Sequence, residues 1–377
     1  MRPSSDAPNR FEAHPKATLS VILVTIVALT EIALRILAQQ GLVSYFKFPT
    51  GQRPTFWNDI DRSFGVWHYP NASIVHSLPC FEVTYRSNSY GARDVERSVE
   101  STAAERIVVI GDSFVEGYGV ERRDRMTDIL ERETGYEHLN FGVAEVGSIQ
   151  EWLLYETLAS KFDHSRVFVF LLPDNDFSDN RPREEPDGRY RPYLRKVDGK
   201  FEVYYPVDFH PNRLDPKLTP WKIWKNRLYN GSYIVNVIRQ LDKNMNRKRR
   251  QAKRRPYDDF TDEDAEVLLY TYRKIVEDAG SRKVTFFIIP RLMDLDAYDS
   301  KSYDLRIVPV MKEFAARYPN VEAIDLLPYF VAYAKREGVA YEDFYQTCDG
   351  HWSPLGNRVA AEAVIEAVYS PRAAGSP

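Results

Sequence analysis

Two short stretches, far apart in the chain, carry residue types that can do chemistry together. The first is Ile110-Gly111-Asp112-Ser113-Phe114, which closes an apolar run; the second is Cys348-Asp349-Gly350-His351-Trp352-Ser353-Pro354, just ahead of a helical pattern. A serine hydroxyl is a weak nucleophile until an adjacent base takes its proton. An aspartate and a histidine in one loop make such a base: the carboxylate fixes the imidazole tautomer and stabilises the imidazolium that forms. These residues therefore offer Ser113 as nucleophile, His351 as general base and Asp349 as its orienting partner. A Gly-Asp-Ser tripeptide arises by chance in loops, and a lone loop histidine more often packs or caps. Each element gains its meaning from the other. Asp112 reads as structural, hydrogen-bonding within its own turn.

Positioning them requires a scaffold, and the pattern around them predicts one. Five β-type runs, Arg106–Ile110, Glu137–Phe141, Val167–Leu172, Val284–Ile289 and Val321–Ile324, alternate with helical patterns. The helical patterns are Arg125–Thr134, Ile149–Lys161, Asp262–Ala279 and Ser302–Arg317. Continuously apolar strands separated by helices argue for a parallel sheet covered on both faces. Ligands in such sheets gather at the carboxyl ends of the strands, where Ser113 falls. Gly111 permits a tight departure from the first strand, and backbone N–H groups at the helix start that follows favour a developing oxyanion. The closing helix is well marked: Ser353 suits the N-cap, Pro354 suits the first turn, and Val359, Ala360, Ala363, Val364 and Ala367 form one apolar face.

Four further segments surround this core. Residues 17–38 read ATLSVILVTIVALTEIALRILA, roughly 33 Å as a helix, which is enough to cross a bilayer. Glu31 and Arg35 within it stand at i,i+4 and can neutralise one another. No small-residue cleavage pattern precedes Gln39 and Gln40, so the segment is expected to be an uncleaved signal anchor. A cleaved secretory peptide and an amphipathic helix docked on the main domain are the alternatives. Arg2, Arg10 and Lys16 on the N-terminal side place a tail, 1–16, in the cytoplasm and the main domain outside it. Residues 41–105 read as a β-rich segment leading into the main domain, 106–370. An insertion of about 177–260 interrupts that domain, with a hairpin expected at Asp198-Gly199. Near its end runs RKRRQAKRR, Arg247–Arg255, read as a solvated loop or helix end, or else as a patch for anionic lipid headgroups.

Composition sets outer limits. A net charge of −3 gives no general attraction to nucleic acid. Two cysteines, Cys80 and Cys348, are too few for a disulfide-dense scaffold or a structural zinc site; whether they pair is open. Asp174, Asp176 and Asp179 cluster after the third strand without a convincing ligand spacing, so no metal and no cofactor is expected. Trp152, Trp221 and Trp224 read as core residues, with a sugar-binding surface as the alternative.

Several blocks, in their order, resemble the SGNH (GDSL) hydrolase superfamily, and within it the bacterial membrane-anchored members. They are Ser87-Asn88-Ser89-Tyr90-Gly91-Ala92-Arg93-Asp94, Gly111–Val120 (GDSFVEGYGV), Asn140–Gln150 (NFGVAEVGSIQ), Pro173–Asn180 (PDNDFSDN) and Asp349–Asn357 (DGHWSPLGN). The Glu31/Arg35 pattern in the anchor resembles that group too. The resemblance implies a flavodoxin-like three-layer α/β/α sandwich. It makes Ser113 the nucleophile, His351 the base and Asp349 its partner, with the N–H groups of Ser113 and Glu145 and the amide of Asn175 as oxyanion-hole donors. Glu145 stands where relatives more often have glycine, and Asp174 where a glycine commonly precedes Asn175. The Asp349–His351 spacing is one residue shorter than the commonest form. The departures at Glu145 and Asp174 fall on the oxyanion hole rather than on nucleophile or base.

Two functional readings follow. The first is a serine esterase or O-acyl (acetyl) transferase, acting through an acyl-enzyme on an ester-bearing envelope glycan or lipid. The second is a non-catalytic member, tethered to the bilayer through residues 17–38, that serves as a binding or assembly subunit for a membrane protein partner. Ser113 Oγ within hydrogen-bond reach of His351, with the Glu145 carboxylate turned outward, favours the first; a Glu145 or Asp174 side chain filling the pocket favours the second.

Overall fold

The computed structural model describes residues 13–40, 42–43, 45, 55–57, 59–78, 80–103, 105–173, 175–182, 190–206, 220–251, 260–300 and 306–370, with only the backbone of Lys222 and of 243–251. Asp174, residues 1–12 of the expected tail and residues 252–255 of the basic run lie outside the described residues. The chain divides into two compact units, 1–52 with 218–249, and 53–217 with 250–377.

In chain order, α1 (Pro15–Gln39) comes first, then the antiparallel pairs β1 (Asp59–Asp61) with β2 (Gly65–Trp67) and β3 (Ser73–Leu78) with β4 (Phe81–Arg86). The alternation begins with β5 (Arg106–Gly111), α2 (Ser113–Glu116), α3 (Met126–Thr134), β6 (Glu137–Gly142), α4 (Ser148–Thr157), β7 (Arg166–Leu171) and α5 (Asn175–Asn180). A hairpin, β8 (Tyr193–Val197) and β9 (Lys200–Tyr204), precedes the helices α6 (Pro220–Gly231) and α7 (Tyr233–Gln251). The chain closes with α8 (Asp262–Ala279), β10 (Lys283–Ile288), α9 (Leu292–Ser300), α10 (Ile307–Ala315), β11 (Val321–Asp325), α11 (Leu327–Glu337) and α12 (Pro354–Val364).

The larger unit is built on one parallel sheet in the order β11-β10-β7-β5-β6, the flavodoxin-like doubly wound order. Its strands are apolar on both faces because both are covered: Ile107, Val108, Val109 and Ile110 are all fully buried. Successive side chains alternate between the layers. Phe286 meets Tyr272 of α8 and Phe314 of α10, while its neighbour Phe287 stacks on Phe170 and meets Phe168. Helices α4 and α5 pack on α8, and α3 and α11 pack on α12, giving three layers. Counted along the chain, the sheet order is second, first, third, fourth, fifth. Its switch point lies between β5 and β7, so the loop after β5 opens where an α/β sheet takes ligands.

The β and α elements expected from sequence sit within about a residue of their places, apart from three helices. The closing one, whose expected apolar face reaches Ala367, is α-helical to Val364 and continues as a π turn over Ile365–Tyr369. The pattern Ile149–Lys161 forms a helix only to Thr157, then a 3₁₀ turn over Ala159–Lys161. That read as Ser302–Arg317 is described from Ile307 to Ala315. The Asp198-Gly199 turn forms with both residues at positive φ, 50° and 77°, which brings β8 and β9 into register.

In the smaller unit, α1 is 25 residues long, apolar and unburied, long enough by length and composition to cross a membrane. With it cluster α6 and α7, so the insertion is divided between the units. Trp152 is a core residue, its indole N–H on Asp278 at 3.2 Å. The core reading is wrong for Trp221 and Trp224, which stack on each other at 4.9 Å and remain 64% and 54% exposed. They lie on the outward stripe of an amphipathic helix, whose periodicity is the same whether its apolar side meets protein or something else.

Candidate active site

Strand β5 delivers Ser113 to the first position of the short helix α2. Two glycines make that turn fit: a Cβ on Gly111 would strike the Val115 side chain, and one on Gly142 would strike the Glu116 backbone N. Asp112 caps the turn, its Oδ1 accepting the Phe114 N–H at 2.9 Å. As the first residue of the helix, Ser113 has a backbone N–H with no intrahelical acceptor. Its Oγ lies 2.7 Å from His351 Nε2, and His351 Nδ1 lies 2.6 Å from Asp349 Oδ1. The same Asp349 oxygen accepts the His351 backbone N–H at 3.0 Å, which locks ring and carboxylate together. With Nδ1–H donated to Asp349, Nε2 is left to accept from Ser113. The structure therefore joins Ser113, His351 and Asp349 in one hydrogen-bonded chain.

The loop bearing Asp349 and His351 is held from several sides. Gln346 donates its backbone N–H to the His351 carbonyl at 2.6 Å and its side-chain amide to Gly119 O at 3.1 Å, bridging this loop to the segment after Ser113. Trp352 is buried against Phe330 and edge-on to Phe114. Ser353 caps α12 by accepting the Gly356 N–H at 3.2 Å, and Asn357 accepts the Met126 N–H at 3.0 Å, fastening α12 to α3. A disulfide joins Cys348 to Cys80, between β3 and β4. From the same hairpin, the His76 ring lies 4.9 Å from Tyr118, whose ring lies 4.4 Å from His351.

Electrostatics favour a base. Burial pulls the His351 pKa down, but the hydrogen bond and charge of Asp349 outweigh it and hold His351 above the usual histidine value. Burial pushes Asp112 up to about 6, against the pull of the Phe114 N–H and the Asn175 amide. Two further buried carboxylates, Glu151 and Asp176, are driven well above the ordinary range by burial and then by neighbouring acids, Asp112 for Glu151 and Glu151 for Asp176. Neither Glu151 oxygen has a hydrogen-bond partner among the described residues. Asp176 accepts the Leu172 N–H at 2.8 Å, which fastens the start of α5 to the end of β7.

Glu145 follows β6 with φ 62°, the left-handed region that favours glycine. Its side chain is 60% exposed and its carboxylate lies 3.5 Å from Arg191, which also binds Asp179 at 3.0 Å. The carboxylate therefore points out to a cation, and the backbone carries the strained turn. Asn175 opens α5 with its amide against Asp112, the neighbour of Ser113, and its Oδ1 buried without a partner among the described residues. Asp174 lies outside the described residues. Among the described residues no group of three or more His, Cys, Asp or Glu is arranged to hold a metal. A cleft of about 530 Å³ lies between the β8–β9 turn, α8 and α10, and is lined by none of the Ser113, His351 or Asp349 side chains.

Some positioning residues carry no readable role in the sequence. Arg93, fully buried, donates to the carbonyls of Glu116, Gly117 and Val120 at 2.7, 2.6 and 2.6 Å, and its guanidinium lies 3.6 Å from the centre of the Tyr85 ring. It thereby pins the chain leaving α2. Glu116 accepts the Trp57 indole N–H at 2.8 Å and lies 3.4 Å from His68, both in the segment before β3. A charged residue in the Gly91-Ala92-Arg93-Asp94 block was the available signal for Arg93; nothing local marked Trp57 or His68.

No family model and no curated protein sequence matches the chain. Solved structures that are similar to it include a lipolytic G-D-S-L family protein from Veillonella parvula (14% identity, TM-score 0.39), covering 71% of this chain and 100% of that one. Others are the acetyl xylan esterase AlAXEase (15%, 0.40, 70% and 99%) and a lipase/acylhydrolase from Enterococcus faecalis (12%, 0.37, 70% and 95%). Identities and superpositions at this level say nothing of reaction or substrate, which the site must carry by itself.

Proposed function

We propose that the chain is an SGNH-type serine esterase or O-acyltransferase anchored to a membrane. The carrying observation is the chain Ser113–His351–Asp349, at 2.7 and 2.6 Å, set at the carboxyl end of the first sheet strand. In this reading Ser113 Oγ attacks an ester carbonyl while Nε2 of His351 takes its proton. Asp349 stabilises the imidazolium, and the N–H groups of Ser113 and Glu145 with the Asn175 amide receive the oxyanion. Collapse of the tetrahedral adduct expels the alcohol, which leaves with the proton from His351, and the acyl group stays on Ser113. Water or a sugar hydroxyl then attacks the acyl-enzyme by the same route, giving hydrolysis or transfer. No cofactor enters.

An outward Glu145 carboxylate supports catalysis over the binding-subunit reading, because an anion inside the pocket would oppose the oxyanion. The apolar α1 supports a membrane anchor, and the cations Arg2, Arg10 and Lys16 before it support an N-terminal tail in the cytoplasm. The Cys80–Cys348 disulfide supports a catalytic unit in an oxidising, extracytoplasmic compartment. An envelope glycan or lipid ester is then the substrate class within reach.

The test is labelling of the full-length protein with a fluorophosphonate probe beside Ser113→Ala. Labelling that disappears in the variant is expected. A folded protein that takes up no probe would defeat the catalytic reading and leave the membrane-tethered binding subunit.

A further inference from the structure

The smaller unit has an internal joint that the catalytic reading does not use. Glu31, two-thirds of the way along α1, caps the start of α7: its carboxylate accepts the N–H groups of Tyr233 at 2.6 Å and Ile234 at 3.1 Å, and the Ser232 hydroxyl at 3.1 Å. Around this clasp, Tyr45 stacks on Tyr233 at 4.4 Å and donates its hydroxyl to Asn230 O at 2.5 Å, while the Arg35 guanidinium lies 5.1 Å from the centre of the Tyr233 ring. From Leu19 to Thr30 every residue of α1 is exposed. Beyond that point Glu31, Leu34, Leu37 and Ala38 are half-buried, and 31, 34 and 38 share one face. The joint is thus confined to the last two turns or so of α1.

The position of Glu31 fixes where α6 and α7 lie once α1 spans a bilayer. About 12 Å of helix separates it from the helix end at Gln39; with the roughly 37 Å helix centred on a ~30 Å hydrocarbon core, it sits about 8 Å inside the acyl-chain boundary. A carboxylate there is costly without partners, and the positive end of a helix dipole with two unpaired N–H groups supplies them. The turn between α6 and α7 is carried to the same depth, the depth at which interfacial helices bury their apolar faces.

The surfaces of the two helices fit that place. Trp221, Trp224 and Leu228, at i, i+3 and i+7 of α6, form one exposed stripe, and Ile238 and Leu241 another on α7. Exposed tryptophans of this kind suit the headgroup level, where an amphipathic ring has both an apolar and a wet neighbour. The two helices are also basic in sequence: residues 220–251 hold nine lysines and arginines, Arg247-Lys248-Arg249-Arg250 among them, against a single acidic residue, Asp242. Apolar stripe, basic complement and the clasp to a spanning helix together select a lipid surface as occupant.

We infer that α6 and α7 form an interfacial lipid-binding device, held at the membrane boundary by Glu31 and laying the Trp221/Trp224/Leu228 stripe into an anionic bilayer. It rests on α1 spanning the membrane and is independent of the esterase reading.

The test uses full-length protein in phosphatidylcholine–phosphatidylglycerol vesicles, beside the double variant Trp221→Phe/Trp224→Phe. Phenylalanine keeps the stripe apolar and removes only the reporter. Retention of both proteins after an alkaline carbonate wash establishes the span separately; their loss would remove the span and the proposal with it. Lipids brominated high on the acyl chain are expected to quench a share of the fluorescence that the double variant lacks, and aqueous iodide is expected not to reach that share. Equal bromine quenching of the two proteins, or iodide quenching of the pair, overturns the proposal. Shielding of the pair from both quenchers reports a protein cover and overturns it equally. Glu31→Ala should move the pair toward iodide; unchanged quenching in that variant overturns the part given to Glu31.

Discussion

Cys80, in the tight link between β3 and β4, is disulfide-bonded to Cys348, the residue before Asp349, with their Cα atoms 5.7 Å apart. The bond closes a loop spanning 268 residues and attaches the early hairpin to the base of the triad. Removing a native crosslink of this kind costs typically 2–5 kcal/mol, mainly through the freedom returned to the unfolded chain. Cys80→Ser is therefore expected to lower the thermal midpoint by several degrees. It should also reduce probe labelling at Ser113, since the Asp349 loop loses one of its supports. Mass spectrometry of the unreduced protein gives the prior check: both thiols found free would remove the premise.

The Asp349–His351 hydrogen bond sets a pH profile. His351 acts as a base only when neutral, and Asp349 holds its pKa above the usual histidine value. The rate of Ser113 acylation should then rise with pH through that raised value and level off above it. Asp349→Asn removes the charge that raises the pKa, so its acid limb should shift to lower pH. The plateau should drop by on the order of 10²- to 10⁴-fold, because the tautomer is no longer fixed. An unshifted limb in Asp349→Asn would mean that another group controls it.

Glu145 and Asn175 separate backbone from side-chain contributions. The φ of 62° at Glu145 is strained for a glutamate and ordinary for glycine. Glu145→Gly keeps the N–H and should leave acylation within a few-fold of the parent. Its stability gain should be at most about 1 kcal/mol, the extra freedom of glycine in the unfolded chain offsetting part of the relief. Asn175→Ala removes a side-chain donor and should cost about 10²- to 10³-fold in rate. A large loss in Glu145→Gly, measured by stopped-flow acylation, would assign the function to the glutamate carboxylate.

Much of this is legible in the sequence itself. Strands such as Ile107–Ile110 declare themselves because both faces are buried, which leaves a continuous apolar run. Ser353-Pro354 and Asp198-Gly199 each satisfy a local rule that does not depend on the rest of the fold. What escaped depends on distance. The hydrogen bonds of Arg93 to the carbonyls of 116, 117 and 120, and that of Gln346 to Gly119, join segments that no periodicity relates. Trp221, Trp224 and Leu228 show the helical period clearly, yet the period does not say what the stripe faces. Short α11 is absent from the helical patterns read above, although Pro328 in its first turn marks a helix start. In the site, the serine, the histidine and the aspartate were legible by type and order. The left-handed turn at Glu145 was visible only as a glutamate where relatives have glycine.

Glu151 is fully enclosed on α4, with both oxygens unpartnered among the described residues. Burial, and then the charge of Asp112, raises its pKa well above the ordinary 4.5. In the unfolded chain the carboxyl releases its proton near 4.5; in the folded protein it keeps the proton to much higher pH. The folded state therefore binds more protons above 4.5, and stability falls as pH rises, by about 1.4 kcal/mol per pH unit for one group. Below 4.5 both states are protonated and the dependence vanishes. Glu151→Gln has no proton to hold and should remove this slope, making the variant more stable than the parent at neutral pH and comparable to it near pH 4. Thermal midpoints measured across that range in detergent decide it: parallel curves for parent and variant would show that Glu151 is ionised in the folded protein.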